Sequence, residues 1–136
     1  MPPTITVTER FGRTCASSGS KWEPKMGYSR AVRAGNLIAV TGTVGIGPDG
    51  TYPPTLAEQT RRSLEIVLAA IESLGGRKEQ VFRTRIYTTC IERWEEIAAV
   101  HGAVFGDVRP ATTLVGVARL IDAEALIEIE ADAVVA

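Results

Sequence analysis

The sequence predicts an α+β fold, with two amphipathic helices lying on one face of a six-stranded mixed sheet. Three observations predict it. Short segments of strand character alternate with two stretches of helical period in the order β-β-β-α-β-α-β-β. Two helices are too few to cover both faces of such a sheet, so both belong on one face. The opposite face still carries apolar residues, Leu114 among them, which other copies of the chain would bury. A homo-oligomer is therefore expected.

Taken in order, residues 4 to 7 form a short strand. Cys15 to Met26, with Ser17, Ser18, Gly19, Ser20 and Pro24, reads as a loop. Tyr28 to Arg33 and Leu37 to Thr41 are strands joined through Ala34-Gly35-Asn36, a hairpin signal. Gly45 to Pro54 is a Gly- and Pro-rich loop. The first helix is the clearest element. Thr55 and Glu58 form a capping box, and Leu56, Thr60, Leu64, Val67, Leu68, Ile71 and Leu74 recur at helical spacing before Gly75-Gly76 stops the helix. Val81 to Thr89 is a strand, with Phe82 and Ile86 on one face and Arg83, Arg85 and Tyr87 on the other. Trp94, Ile97, His101, Val104 and Phe105 mark the second helix.

The stretch from Arg109 to Ala136 reads as a pair of neighbouring strands. The last carries Glu128, Glu130 and Asp132 at two-residue spacing, which turns three carboxylates to one face and Ile127, Ile129 and Ala131 to the other. Such acids need partners, water or a task. Arg83 and Arg85 share a strand face at the same spacing and are the expected partners of Glu130 and Asp132. For Glu128 two readings stand: an acid–base group that positions water, or a satisfied carboxylate in a sheet.

Composition bounds the function. The chain has 136 residues, read as one domain spanning 1–136 in which residues 1–26 are a strand-plus-loop extension. The net charge of −1, with no basic stripe, makes nucleic acid an unlikely partner. No apolar run is long enough to span a membrane, and the N-terminus lacks the pattern of a signal peptide, so a cytoplasmic location is expected. One histidine and two distant thiols cannot assemble a zinc site, and no metal or cofactor is expected. Gly45-Ile46-Gly47-Pro48-Asp49-Gly50 matches a dinucleotide-binding pattern, but Pro48 and Pro53-Pro54 keep it from opening into a helix. His101 reads as a core or half-buried histidine. Trp22 either caps a cleft or anchors a loop.

Three segments together resemble the YjgF/RidA family, also called the endoribonuclease L-PSP family. They are Gly-Tyr-Ser-Arg-Ala-Val-Arg-Ala-Gly-Asn-Leu-Ile-Ala-Val-Thr-Gly (27 to 42), Glu-Gln-Thr-Arg-Arg-Ser-Leu-Glu (58 to 65), and Arg-Pro-Ala-Thr-Thr with Val-Ala-Arg-Leu and Ile-Glu-Ile-Glu-Ala (109 to 131). The resemblance implies a chorismate-mutase-like fold and a homotrimer with small-molecule pockets between subunits. It also implies hydrolysis of reactive enamines and imines, such as 2-aminoacrylate, to keto acids and ammonia. The family's pocket tyrosine falls on Tyr28, its small hydroxyl residue on Thr41 beside Gly42, and its pocket glutamate on Glu128.

The carry-over is partial. The arginine that pairs with the substrate carboxylate falls on Thr112, the pocket cysteine on Leu114 and the pocket asparagine on Ala98. A guanidinium offers a carboxylate two charge-assisted hydrogen bonds, and threonine offers one neutral hydroxyl. Arg109 and Arg30 are the candidates to replace the missing clamp. The resulting expectation is a RidA-like trimer that binds a small metabolite and hydrolyses an imine or enamine of non-standard type. The alternative is a non-catalytic trimer that senses a ligand or binds a partner.

Overall fold

The computed structural model describes residues 1–136. Its strands are β1 (Thr6–Arg10), β2 (Arg13–Ser17), β3 (Ala31–Ala34), β4 (Leu37–Val44), β5 (Val81–Thr88), β6 (Ala111–Gly116) and β7 (Ile127–Val134). Its α-helices are α1 (Trp22–Met26), α2 (Leu56–Ser73) and α3 (Trp94–Phe105). All seven strands form one mixed sheet in the order β1-β2-β3-β4-β7-β5-β6. Only β5 and β6 pair in parallel, as expected of two strands joined through a crossover helix.

The N-terminal region departs from expectation. Residues 1–26 hold two strands and a one-turn helix rather than one strand and a loop, which makes seven strands instead of six. β1 and β2 close through Phe11 and Gly12, both at positive φ (50° and 76°). This is a two-residue primed turn, but Phe stands where Asn or Asp normally signals one. α1 forms although it contains Pro24, because proline is tolerated in a first turn. Gly27, in the left-handed region, ends it.

α2 lies across β4 and β7 and also packs on α3. Its capping box is present as predicted, and Leu56, Thr60, Leu64, Val67, Ile71 and Leu74 are buried. β7 supplies the facing wall: Ile127, Ile129, Ala131 and Ala133 are all fully buried while the intervening acids are half-buried on the other face. Each such Ile or Leu contributes about 1.5–3 kcal/mol by leaving water.

Three expectations about the sheet are corrected. β6 and β7 are not neighbours, because β5 lies between them. Leu114 does not face outward: it stands across from buried Ile86 and packs against the core under the helices. Phe82 does not share a face with Ile86. A bulge between Val81 and Arg83 turns Val81 inward and leaves Phe82 46% exposed.

Candidate functional site

A cleft of about 280 Å³ opens between the end of β4, the segment from α1 to β3, and β7. Tyr28, Thr41, Gly42 and Glu128 line it together, with Trp22 and Arg30. A bulge in the β4–β7 ladder between Val40 and Thr43 re-aims the backbone at Gly42. A Cβ at Gly42 would fall on the Glu128 carboxylate, so the glycine makes room for the acid. A larger cleft of about 580 Å³ adjoins it on the other side of Arg30, between the N-terminal residues and the loop after β4. It gathers none of the six predicted site residues.

Glu128 is the distinctive group. Its neighbours in the acid ladder are committed: Arg85 Nη1 lies 3.1 Å from Asp132 and 3.7 Å from Glu130, and the Tyr87 hydroxyl donates to Glu130 at 3.2 Å. Arg85 therefore serves both acids, and Arg83 joins neither. Glu128 has no hydrogen bond or ion pair within the chain, and its oxygens reach the cleft. Burial holds its pKa above the ordinary carboxylate value, while Arg30 partly opposes this and Glu130 adds to it.

Arg30 enters the cleft wall, but four of its five donors are already used. Nε donates to Ser18 Oγ at 3.1 Å, and Nη1 donates to the Gly42 carbonyl at 2.8 Å and to Thr43 Oγ1 at 3.2 Å. Nη2 reaches the Tyr28 hydroxyl at 3.4 Å and lies 3.9 Å from buried Glu23. Glu23 in turn accepts from the Ser18 and Ser20 backbone amides and the Ser18 hydroxyl. This buried pair binds α1 to the hairpin beneath the cleft. Across the mouth, the Tyr52 hydroxyl donates to Asp122 at 2.7 Å; burial, then the bond to Asp122, raises the Tyr52 pKa.

Thr112 and Leu114 do not join this cleft within one chain. They lie on β6, with β5 between them and β7. The Thr112 hydroxyl bonds Thr84 Oγ1 at 2.8 Å, which in turn contacts His101 Nε2 at 2.9 Å on the helix side of the sheet. His101 is half-buried, its ring tilted 45° to that of Phe105 at 4.9 Å, and burial lowers its pKa. Arg109 sits exposed at the turn before β6, at φ 57°.

A family model described as endoribonuclease L-PSP matches residues 19–135. The chain belongs to this family, the YjgF/RidA family. A 2-iminobutanoate/2-iminopropanoate deaminase of Escherichia coli is 32% identical over 111 residues, covering 79% of this chain and 86% of that protein. A solved YjgF/YER057c/UK114 family structure from Mycobacterium tuberculosis is 47% identical, with a TM-score of 0.84, covering 90% of this chain and 99% of its own. The structure of Escherichia coli TdcF with bound serine is 27% identical with a TM-score of 0.76, covering 80% of this chain and 88% of that one.

Several cleft residues of this YjgF/RidA chain were outside the sequence reading. Tyr52, Ile121 and Asp122 come from two loops whose approach depends on Gln59 of α2. No periodicity marks a loop contact of that kind. Trp22 does line the cleft, as one of its two readings held.

Proposed function

We propose that this protein hydrolyses a small imine or enamine, with Glu128 as the acid–base group. The observation that carries the reading is the unpartnered carboxylate of Glu128, set in a cleft with Tyr28, Thr41 and Gly42. A carboxylate with its pKa raised by burial suits proton transfer. Water adds to the C=N carbon and gives a proton to Glu128. The same group passes that proton to nitrogen to complete a carbinolamine, then takes the carbinolamine hydroxyl proton and delivers it to nitrogen as the C–N bond breaks, so imine and water leave as a carbonyl compound and ammonia. The reading includes a homotrimer, in which the β6 edge of a neighbouring copy closes each cleft and brings Thr112, exposed in the single chain, to it.

Ammonia release from a panel of imines, run beside Glu128→Gln, tests this. Turnover that falls at least tenfold in the variant is the expected result. Turnover unchanged by the substitution overturns the role of Glu128. The threonine at the clamp position favours a second reading, a non-catalytic ligand binder, and no turnover across the panel would support it. Thr112→Arg separates the two further. It should raise activity on 2-aminoacrylate by about an order of magnitude if the missing guanidinium is the defect.

A further inference from the structure

We infer that His101 is a positioning residue: acting through Thr84, it turns the Thr112 hydroxyl into an outward-facing hydrogen-bond donor at the position where the arginine clamp is missing. The inference rests on the proposed reading in one respect, that a neighbouring copy brings Thr112 to the cleft. The geometry that carries it lies within one chain.

Three polar side chains stand in line from α3 to the β6 edge. His101 Nε2 lies 2.9 Å from Thr84 Oγ1, Thr84 Oγ1 lies 2.8 Å from Thr112 Oγ1, and Thr112 Oγ1 lies 3.2 Å from the Pro110 carbonyl oxygen. The last group fixes the direction of the whole line. A carbonyl oxygen only accepts, so Thr112 gives its single proton to Pro110. Thr112 then has only lone pairs to offer Thr84, and Thr84 gives its single proton to Thr112. Thr84 has none left for His101, so Nε2 carries a proton and donates it. Three contacts and three protons allow this one assignment. It holds for the neutral Nε2–H tautomer and for the imidazolium alike.

Thr84 is unlike the other buried hydroxyls of the fold. Thr43, Thr60, Ser63 and Thr88 are buried, and each donates to a backbone carbonyl. A main-chain acceptor of that kind satisfies a hydroxyl and ends the matter. Thr84 is equally buried, yet both of its partners are side chains. It relays a proton direction from one to the other. His101 is held for this role on the buried side of α3, one turn before Phe105, with the two rings 4.9 Å apart.

The outer end of the line is open. Thr112 is exposed, and its bond to Pro110 is the longest of the three. An acceptor atom on a ligand can take that proton and leave the two bonds behind it intact. Each donor in such a row strengthens the next, so the Thr112 hydroxyl is a stronger donor than an isolated threonine.

His101 is the only histidine, so its ring nitrogens give the only imidazole signals in nitrogen NMR of the intact, isotope-labelled protein. At about pH 8 the ring is neutral, and Nε2 should carry the proton. In Thr112→Val, Thr84 has only His101 to donate to. The tautomer ratio should then move toward Nδ1–H by at least about fivefold, because the alternative leaves a buried hydroxyl unpaired. A parent ring protonated at Nδ1 overturns the inference, as does a ratio that Thr112→Val leaves unchanged. Turnover of 2-aminoacrylate reads the consequence. His101→Phe keeps a ring beside Phe105 and removes the donor, and should lower kcat/KM about fivefold. His101→Gln keeps an N–H and should retain most of the parent rate. In a Thr112→Val background, His101→Phe should have no further effect. A loss that persists there overturns the positioning role. Failure of the proposed chemistry is distinguishable: a parent without turnover discards hydrolysis, and the tautomer result then decides the inference by itself.

Discussion

Gln59 ties the fold to the cleft. It is 2% exposed in the first turns of α2. Its Nε2 donates to the Pro53 and Glu124 carbonyls, both at 3.0 Å, and its Oε1 accepts from the Leu126 amide at 2.8 Å. One side chain therefore holds the loop bearing Tyr52 against the loop bearing Ile121 and Asp122. Gln59→Met keeps the length and removes all three bonds. Each costs about 1–1.5 kcal/mol when a backbone group loses its partner. Added hydrophobic burial of the Met returns under about 1 kcal/mol. The net loss is about 3 kcal/mol, which lowers Tm by about 10 °C in a domain of this size. Urea unfolding followed by circular dichroism, at one fixed protein concentration, measures it. Gln59→Glu should cost more than Met at neutral pH, because a carboxylate then faces two carbonyl oxygens. A Gln59→Met variant within about 1 kcal/mol of the parent refutes the reasoning.

Further expectations concern the cleft and its neighbours. Gly42→Ala should fold normally, since its φ lies outside the left-handed region, yet displace the Glu128 carboxylate; ligand affinity or turnover falling less than tenfold would contradict this. Arg85→Ala should cost about 1 kcal/mol, a value limited by the exposure of the pair, whereas Arg83→Ala should stay within about 0.5 kcal/mol; equal losses in denaturant unfolding would reject the division between them. The Glu128 pKa is raised in the folded state, so the stability it contributes is present below the unfolded carboxylate pKa and lost as pH rises through the folded value. Glu128→Gln should therefore raise Tm at about pH 8 and leave it unchanged at about pH 4, in thermal melts at both pH values.

What the sequence revealed, and what it hid, divides by the range of the interaction. The capping box and core stripe of α2 are local, and both were legible. The alternation of β7 was legible too, as was the separation of Glu128 from its two paired neighbours. The choice between Arg83 and Arg85 was not. Both arginines stand directly across from an acid, Arg83 from Asp132 and Arg85 from Glu130, yet Arg85 reaches Asp132 diagonally, a choice of side-chain direction with no sequence mark. The β1–β2 hairpin was missed because Phe11-Gly12 is a poor advertisement for a primed turn. The gathering of Tyr28, Thr41, Gly42 and Glu128 came from resemblance, and the cleft brings those four together. Arg30 reaches the cleft, but most of its donors serve its own fold.

The strand order has a consequence for how the chain is made. Until β7 is present, β1 to β4 pair only among themselves and β5 only with β6. The two halves of the sheet meet only through β7, which inserts between β4 and β5. A ribosome therefore delivers two incomplete sheets, each with an open edge, before it delivers the strand that joins them. Long-range pairing of this kind folds slowly and leaves those edges exposed to other chains. Truncation before Ile127 should yield an aggregating fragment rather than a smaller stable protein, and interruption late in synthesis should be the moment at which this chain most needs a chaperone.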